Sequence, residues 1–129
     1  MAATVLVVDD DDAVRKSIAV VLKLKGGFNV LEASDGLAGL DLAKLHRPDL
    51  IISDVFMDNL NGFMMLESLQ DDPGTARIPV IMMTSAAQGA GAWKSGAAIE
   101  YIEKGFSLAE LLVIVDRILK IDRTPAGKK

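Results

Sequence analysis

No cysteine occurs among the 129 residues, so the chain has neither a disulfide framework nor thiolate chemistry. That suits a reducing compartment. The start, Met1-Ala2-Ala3-Thr4, has no basic stretch ahead of an apolar one, so no signal peptide is expected. No apolar run nears the roughly 18 residues that a membrane span requires. Strong charge of one sign is lacking too. With 14 basic and 18 acidic residues the net charge is −4, which argues against nonspecific binding of nucleic acid or anionic membrane by the domain as a whole. Internal repeats and low-complexity stretches are also missing. What is present is apolar bulk: 50% of the residues are hydrophobic, enough to bury a core, and the length suits one domain. The expectation is a cytoplasmic domain over residues 1–122. The polar residues 123–129, ending in Lys128-Lys129, read as a flexible tail or linker stump.

The hydrophobic pattern alternates between two periods. Val5–Val8 is a short run rich in β-branched residues and reads as a strand. Val14, Ile18, Val21 and Leu22 then form an amphipathic stripe that Gly26-Gly27 ends. Phe28–Ala33 reads as a second strand. Ser34 or Asp35 can cap a helix running through Leu37, Leu40 and Leu45. Leu50–Ser53 is a third strand, followed by turn chemistry at Asp58–Gly62 and a helix over Phe63–Gln70. Ile78–Met83 and Ile99–Ile102 are the remaining strands. The segment between them, Ser85–Gly96, holds Gly89, Gly91 and Gly96, each costing a helix about 1 kcal/mol relative to Ala. Ser107 with Glu110 forms a capping box before the stripe Leu108, Leu111, Leu112, Val115, Ile118 and Leu119. Five strands interleaved with five helices predict a three-layer α/β domain with a parallel sheet.

A parallel sheet gathers the carboxyl ends of its strands at one edge. Here those ends carry Asp9-Asp10, Asp54, Thr84 and Lys104. Capping accounts for Asp11 and Asp12 but not for two carboxylates directly at a strand end. Adjacent carboxylates repel unless a cation lies between them. Mg²⁺ prefers oxygen ligands, and Mn²⁺ takes a similar set. Asp10 and Asp54 could be ligands, with Asp9 acting through water. Asp54 beside a cation can act as a nucleophile toward a phosphoryl group. Thr84 could hydrogen-bond a phosphoryl oxygen and Lys104 could neutralise another.

The whole pattern resembles the receiver domain of two-component response regulators, the chemotaxis regulator included. The resemblance is carried by Val5–Asp10, Pro48–Asp54, Asn61-Gly62, Ile78–Ser85 and Lys104 with Phe106, in the family's order over residues 4–121. It implies a (βα)5 flavodoxin-like fold, a five-stranded parallel sheet with helices on both faces. It implies that a histidine kinase or phosphotransfer protein donates a phosphoryl group to Asp54 with Mg²⁺ bound. Asp9, Asp10, Asp54 and the carbonyl of Phe56 would be the metal ligands. Asp54, Thr84 and Lys104 would be the reactive residues, and Thr84 and Tyr101 the switch. The face made by the Ser85–Gly96 helix, the fifth strand and the last helix would be read by an output partner or an attached effector. Slow self-dephosphorylation and homodimer formation also belong to the family's repertoire. Direct binding to nucleic acid or membrane is not expected of this domain.

Several positions depart from that pattern. Gly105 stands where the family has Pro after the lysine, a bond that is cis there. A non-proline cis bond costs about 2.5–4 kcal/mol, so either Lys104-Gly105 is trans with an altered loop or the strain is tolerated at glycine. Asp58 replaces a Pro and is read as a turn former. Phe56, bulky and apolar, suggests slow hydrolysis of the phosphoryl group. The Thr84 to Lys104 interval is about two residues short for the family, and Trp93 within it is either core or a partner anchor. His46, the only histidine, complements the end of a helix. Two rivals remain: a pseudo-receiver module that is never phosphorylated, and a haloacid-dehalogenase-type phosphatase. For the latter Asp10–Val14 fits Asp-x-Asp-x-Val, but Thr84 and Lys104 follow the acidic motif Ser53–Asp58 instead of preceding it.

Overall fold

The structure is a computed structural model that describes residues 2–57, 59–84 and 100–123. The helix expected over Ser85–Gly96, Trp93, Asp58 and most of the tail lie outside the described residues. Along the chain the elements are β1 (Thr4–Val8), α1 (Asp12–Leu24), β2 (Asn29–Ala33), α2 (Gly36–His46), β3 (Leu50–Asp54), α3 (Gly62–Gln70), β4 (Val80–Thr84), β5 (Glu100–Glu103) and α4 (Leu108–Leu119). The five strands form one parallel sheet in the order β2-β1-β3-β4-β5.

Burial explains why these runs are strands. The three central strands β1, β3 and β4 are covered on both faces, so they read as unbroken apolar runs. One face packs Val5, Val7, Leu50, Ile52, Ile81 and Met83 against Ile18 and Leu22 of α1 and Leu111 and Val115 of α4. The other packs Leu6, Val8, Ile51, Val80 and Met82 against Ala43 of α2 and Met65, Leu66 and Leu69 of α3. Alternation along each strand divides its side chains between the two layers. The sheet is therefore doubly wound. β4 begins two residues later than the hydropathy suggests. Pro79 has no N–H to give a ladder, although its carbonyl accepts from Ile51.

The caps follow from the side chains expected to make them. Asp11 accepts from the amides of Ala13 and Val14, Asp35 from Ala38, and Asn61 from Met64. Both halves of the Ser107–Glu110 capping box form. His46 closes the last turn of α2.

One helix presents an unexpected face. Only part of the leucine stripe of α2 makes core contact: Leu40 packs against the core partly buried, Leu37 and Leu45 are exposed, and the fully buried positions are Gly36, Gly39 and Ala43. Small residues let the helix come close. A Cβ at Gly36 would lie 1.9 Å from the Leu60 carbonyl oxygen, and one at Gly39 2.9 Å from a methyl of Val8.

At the opposite sheet edge, Arg123 pairs with Asp116 at 2.6 Å and donates to the Gly26 carbonyl at 2.9 Å. Its guanidinium also stacks on Phe28. No helix among the described residues is long and apolar enough to cross a membrane.

Candidate metal and phosphoryl site

Asp9 follows β1 directly and extends the ladder, its amide donating to the Ala33 carbonyl at 3.1 Å. It is fully buried, and its Oδ1 accepts from the Asp11 amide at 2.9 Å. Its Oδ2 is buried with no hydrogen-bond partner. Asp54 ends the neighbouring strand β3. One of its carboxylate oxygens accepts from the Val55 amide at 2.8 Å, and the other takes the Lys104 ammonium at 3.0 Å.

Gly62, at the start of α3, is required by that same strand end. A Cβ there would come within 2.4 Å of the Asp54 carbonyl oxygen. The adjacent pair Asn61-Gly62 thus combines a helix cap with the clearance that lets α3 abut the site.

Asp10 is exposed at the mouth, and carboxylate oxygens of Asp9, Asp10 and Asp54 lie within 4.8 Å of one another. Three carboxylates face one ammonium. Burial of its charge dominates and lifts the Asp9 carboxyl above the ordinary carboxylate range. The Asp11 amide opposes that rise, Asp54 adds to it, Lys104 offsets part and Asp10 adds more. Partial burial pulls Lys104 down. The hydrogen bond to Asp54 and the charges of Asp54, Asp9 and Asp10 outweigh it and leave the ammonium above its ordinary value. A cluster with surplus negative charge, an orphaned buried carboxylate oxygen and only oxygen donors fits a hard divalent cation such as Mg²⁺.

Lys104 reaches the site through β5. Its amide donates to the Thr84 carbonyl at 2.6 Å. No described peptide bond is cis, so the Lys104-Gly105 bond is trans, and Gly105 takes φ +103°, a left-handed conformation that glycine adopts without strain. Of the two alternatives at this glycine, the altered trans loop is the one realised. Thr84, buried, ends β4 and pairs in register with Glu103. Tyr101 is two residues earlier on β5, hence on the same sheet face as Thr84, and it packs with the Met82 layer. The Phe56 side chain is half exposed beside the site.

Sequence reasoning passed over Arg15. It is buried, and its guanidinium pairs with Asp12 at 2.6 Å and Glu32 at 3.1 Å and donates to the Asp9 carbonyl at 2.9 Å. The signal was its spacing: Arg15 shares the buried face of α1 with Ile18, Ala19 and Leu22. This pairing also turns Asp12 to Arg15, which removes the second carboxylate of the phosphatase-like motif from the cluster.

A family model for the response regulator receiver domain matches residues 5–116. The chain is 35% identical over 129 residues to the DNA-binding dual master transcriptional regulator RpaA of Synechocystis, covering 97% of this chain and 53% of that protein. It is 34% identical over 119 residues to protein PilH of Pseudomonas aeruginosa, covering 91% and 98% respectively. It thus spans about half of the first relative and nearly all of the second. Among solved structures, the chemotaxis response regulator CheY4 of Vibrio cholerae superposes with a TM-score of 0.83 at 29% identity, over 92% of this chain and 99% of that one. The shared architecture is the flavodoxin-like fold.

Proposed function

Because the chain belongs to the response regulator receiver domain family, we propose that it takes a phosphoryl group from a phosphohistidine onto Asp54 and thereby switches a partner-binding face. The observation that carries this reading is the placement of Asp54. One of its oxygens is held by Lys104, and its carboxylate is within 4.8 Å of those of Asp9 and Asp10.

An Asp54 oxygen attacks phosphorus, the P–N bond breaks, and the imidazole leaves with the electron pair and takes up a proton. Mg²⁺, or Mn²⁺, held by Asp9, Asp10, Asp54 and the Phe56 carbonyl, would neutralise phosphoryl oxygens during transfer. Lys104, which pairs with Asp54, would turn its ammonium to an oxygen of the incoming group. Its altered loop does not withdraw it. The Thr84 hydroxyl would hydrogen-bond another oxygen, and Tyr101 on the same face would follow it inward. That couples charge at the site to the surface around β5.

The donor is a histidine kinase or phosphotransfer protein in the cytoplasm, acting on a domain that spans 1–122. The reader is an output partner or attached effector. Phe56 at the mouth limits water access and slows loss of the phosphoryl group.

Incubation with acetyl phosphate or phosphoramidate and Mg²⁺, followed by intact mass measurement, tests this. One phosphate adduct is expected, absent without Mg²⁺ and in Asp54→Ala. A wild-type chain that stays unmodified would instead be a pseudo-receiver module, and an adduct that persists in Asp54→Ala would place the chemistry elsewhere.

A further inference from the structure

Arg15 is the one buried basic residue among the described residues, and it lies directly behind the acidic cluster. Each of its three nitrogens makes one bond, and each bond goes to a different element. Nη1 donates to the backbone carbonyl of Asp9 at 2.9 Å, Nη2 pairs with Asp12 at the start of α1 at 2.6 Å, and Nε pairs with Glu32 on β2 at 3.1 Å. Asp9 is also the residue whose Oδ2 is buried and unpartnered. The atom that anchors its backbone therefore governs where that oxygen points.

Resting on the magnesium reading above, we infer that Arg15 is a positioning residue of the cation site, clamping the β1–α1 turn so that Asp9 and Asp10 converge on Asp54. The planar fork suits this task. Its N–H groups diverge at fixed angles, so one side chain ties three acceptors, which an ammonium cannot do from a single point. Asp12 and Glu32 serve a second purpose. They occupy the guanidinium, so its positive charge is spent on them and on a neutral carbonyl, leaving the Asp9 and Asp10 carboxylates to the cation. Removing the Glu32 charge would leave more of the arginine's positive charge uncompensated behind the acidic cluster, where it would compete with the metal.

The test measures the Mg²⁺ dissociation constant by calorimetry, the melting temperature in EDTA, and the Asp11 amide resonance, which reports on the Asp9 carboxylate it donates to. The set is wild type, Arg15→Lys, Arg15→Gln, Glu32→Gln and the core control Ile18→Val. Ile18 shares the buried face of α1 but, being apolar, gives no hydrogen bond or charge to the site, so it separates lost packing from lost positioning. Outer-shell partners of this kind typically alter metal affinity about ten- to hundredfold. Both Arg15 variants should weaken Mg²⁺ about tenfold, with lysine failing to restore it. Glu32→Gln should weaken it several-fold, and the Asp11 resonance should move in all three. Ile18→Val should lower the melting temperature with unchanged affinity. Affinities within twofold of wild type, restoration by lysine, or losses that Ile18→Val reproduces would each overturn the inference. If an Arg15 variant fails to fold, Glu32→Gln decides alone. Wild type that binds no Mg²⁺ would instead overturn the magnesium reading itself, and this inference with it.

Discussion

Replacing Asp9 by Asn should stabilise the metal-free protein. Asp9 is fully buried, one carboxylate oxygen has no hydrogen-bond partner, and oxygens of Asp10 and Asp54 lie within 4.8 Å. At that separation each like-charge pair costs about 0.9 kcal/mol with full water screening and about 3.5 kcal/mol at an effective dielectric constant near 20. The nearby Lys104 ammonium offsets part of this. Asn removes the charge yet keeps an oxygen for the Asp11 amide, so the turn retains its internal bond. A net gain of about 1–3 kcal/mol is expected, or roughly 4–12 °C for a domain of this size. The assay is thermal unfolding followed by circular dichroism, in EDTA and then in Mg²⁺.

The sign with pH follows from the raised Asp9 carboxyl. Above the unfolded value near 3.8, the native state still holds a proton that the unfolded chain has released. The contribution of Asp9 to metal-free stability is therefore fully present below that value and is lost as pH rises through the higher folded one. Asp9→Asn removes this decline, so its advantage should grow with pH across that window. Mg²⁺ should reverse the order, since a ligand that binds only the native state adds about 2.7 kcal/mol at a hundredfold excess over its dissociation constant. An Asp9→Asn protein that melts at or below wild type in EDTA near neutral pH would refute the reasoning.

Lys104→Ala should act in the opposite sense. The Asp54 side chain is 10% exposed and Lys104 36%, so after discounting for screening the loss is about 1 kcal/mol in EDTA, and Asp54→Asn on the same background should recover most of it. Gly36→Ala should destabilise by about 2–3 kcal/mol in urea titrations, because its Cβ would fall on the Leu60 carbonyl, while Leu45→Ala at a 75% exposed position should stay within about 0.5 kcal/mol. Ser107→Ala breaks the capping box and should cost about 1 kcal/mol, read as a lower urea midpoint with unchanged slope.

The central strands were legible because strands buried on both faces are apolar until their carboxyl ends, and α1 and α4 because a stripe of large residues repeats at the helical period. The strand-end residues were legible for a topological reason. Parallel order alone sends Asp9, Asp54, Thr84 and Lys104 to one edge, and Asp9 and Asp54 become neighbours because β1 and β3 adjoin. The buried face of α2 was hidden, since Gly36, Gly39 and Ala43 carry almost no hydropathy and are chosen for clearance. Arg15 was hidden because hydropathy assigns a charged side chain to solvent, whereas its burial depends on acceptors from β1, α1 and β2 that only the folded chain assembles. The Lys104-Gly105 geometry could not be read either, because glycine leaves both backbone alternatives open.

Arg123 moors the chain after α4 to the turn between α1 and β2, by a hydrogen bond to Gly26 and a stack on Phe28. That turn feeds the amino end of β2, so the mooring point and the acidic cluster occupy opposite poles of the sheet, about 17 Å apart for strands of five residues. A fluorophore or surface tether attached beside this mooring, at the exposed position 122, would sit at the far pole from the carboxylates.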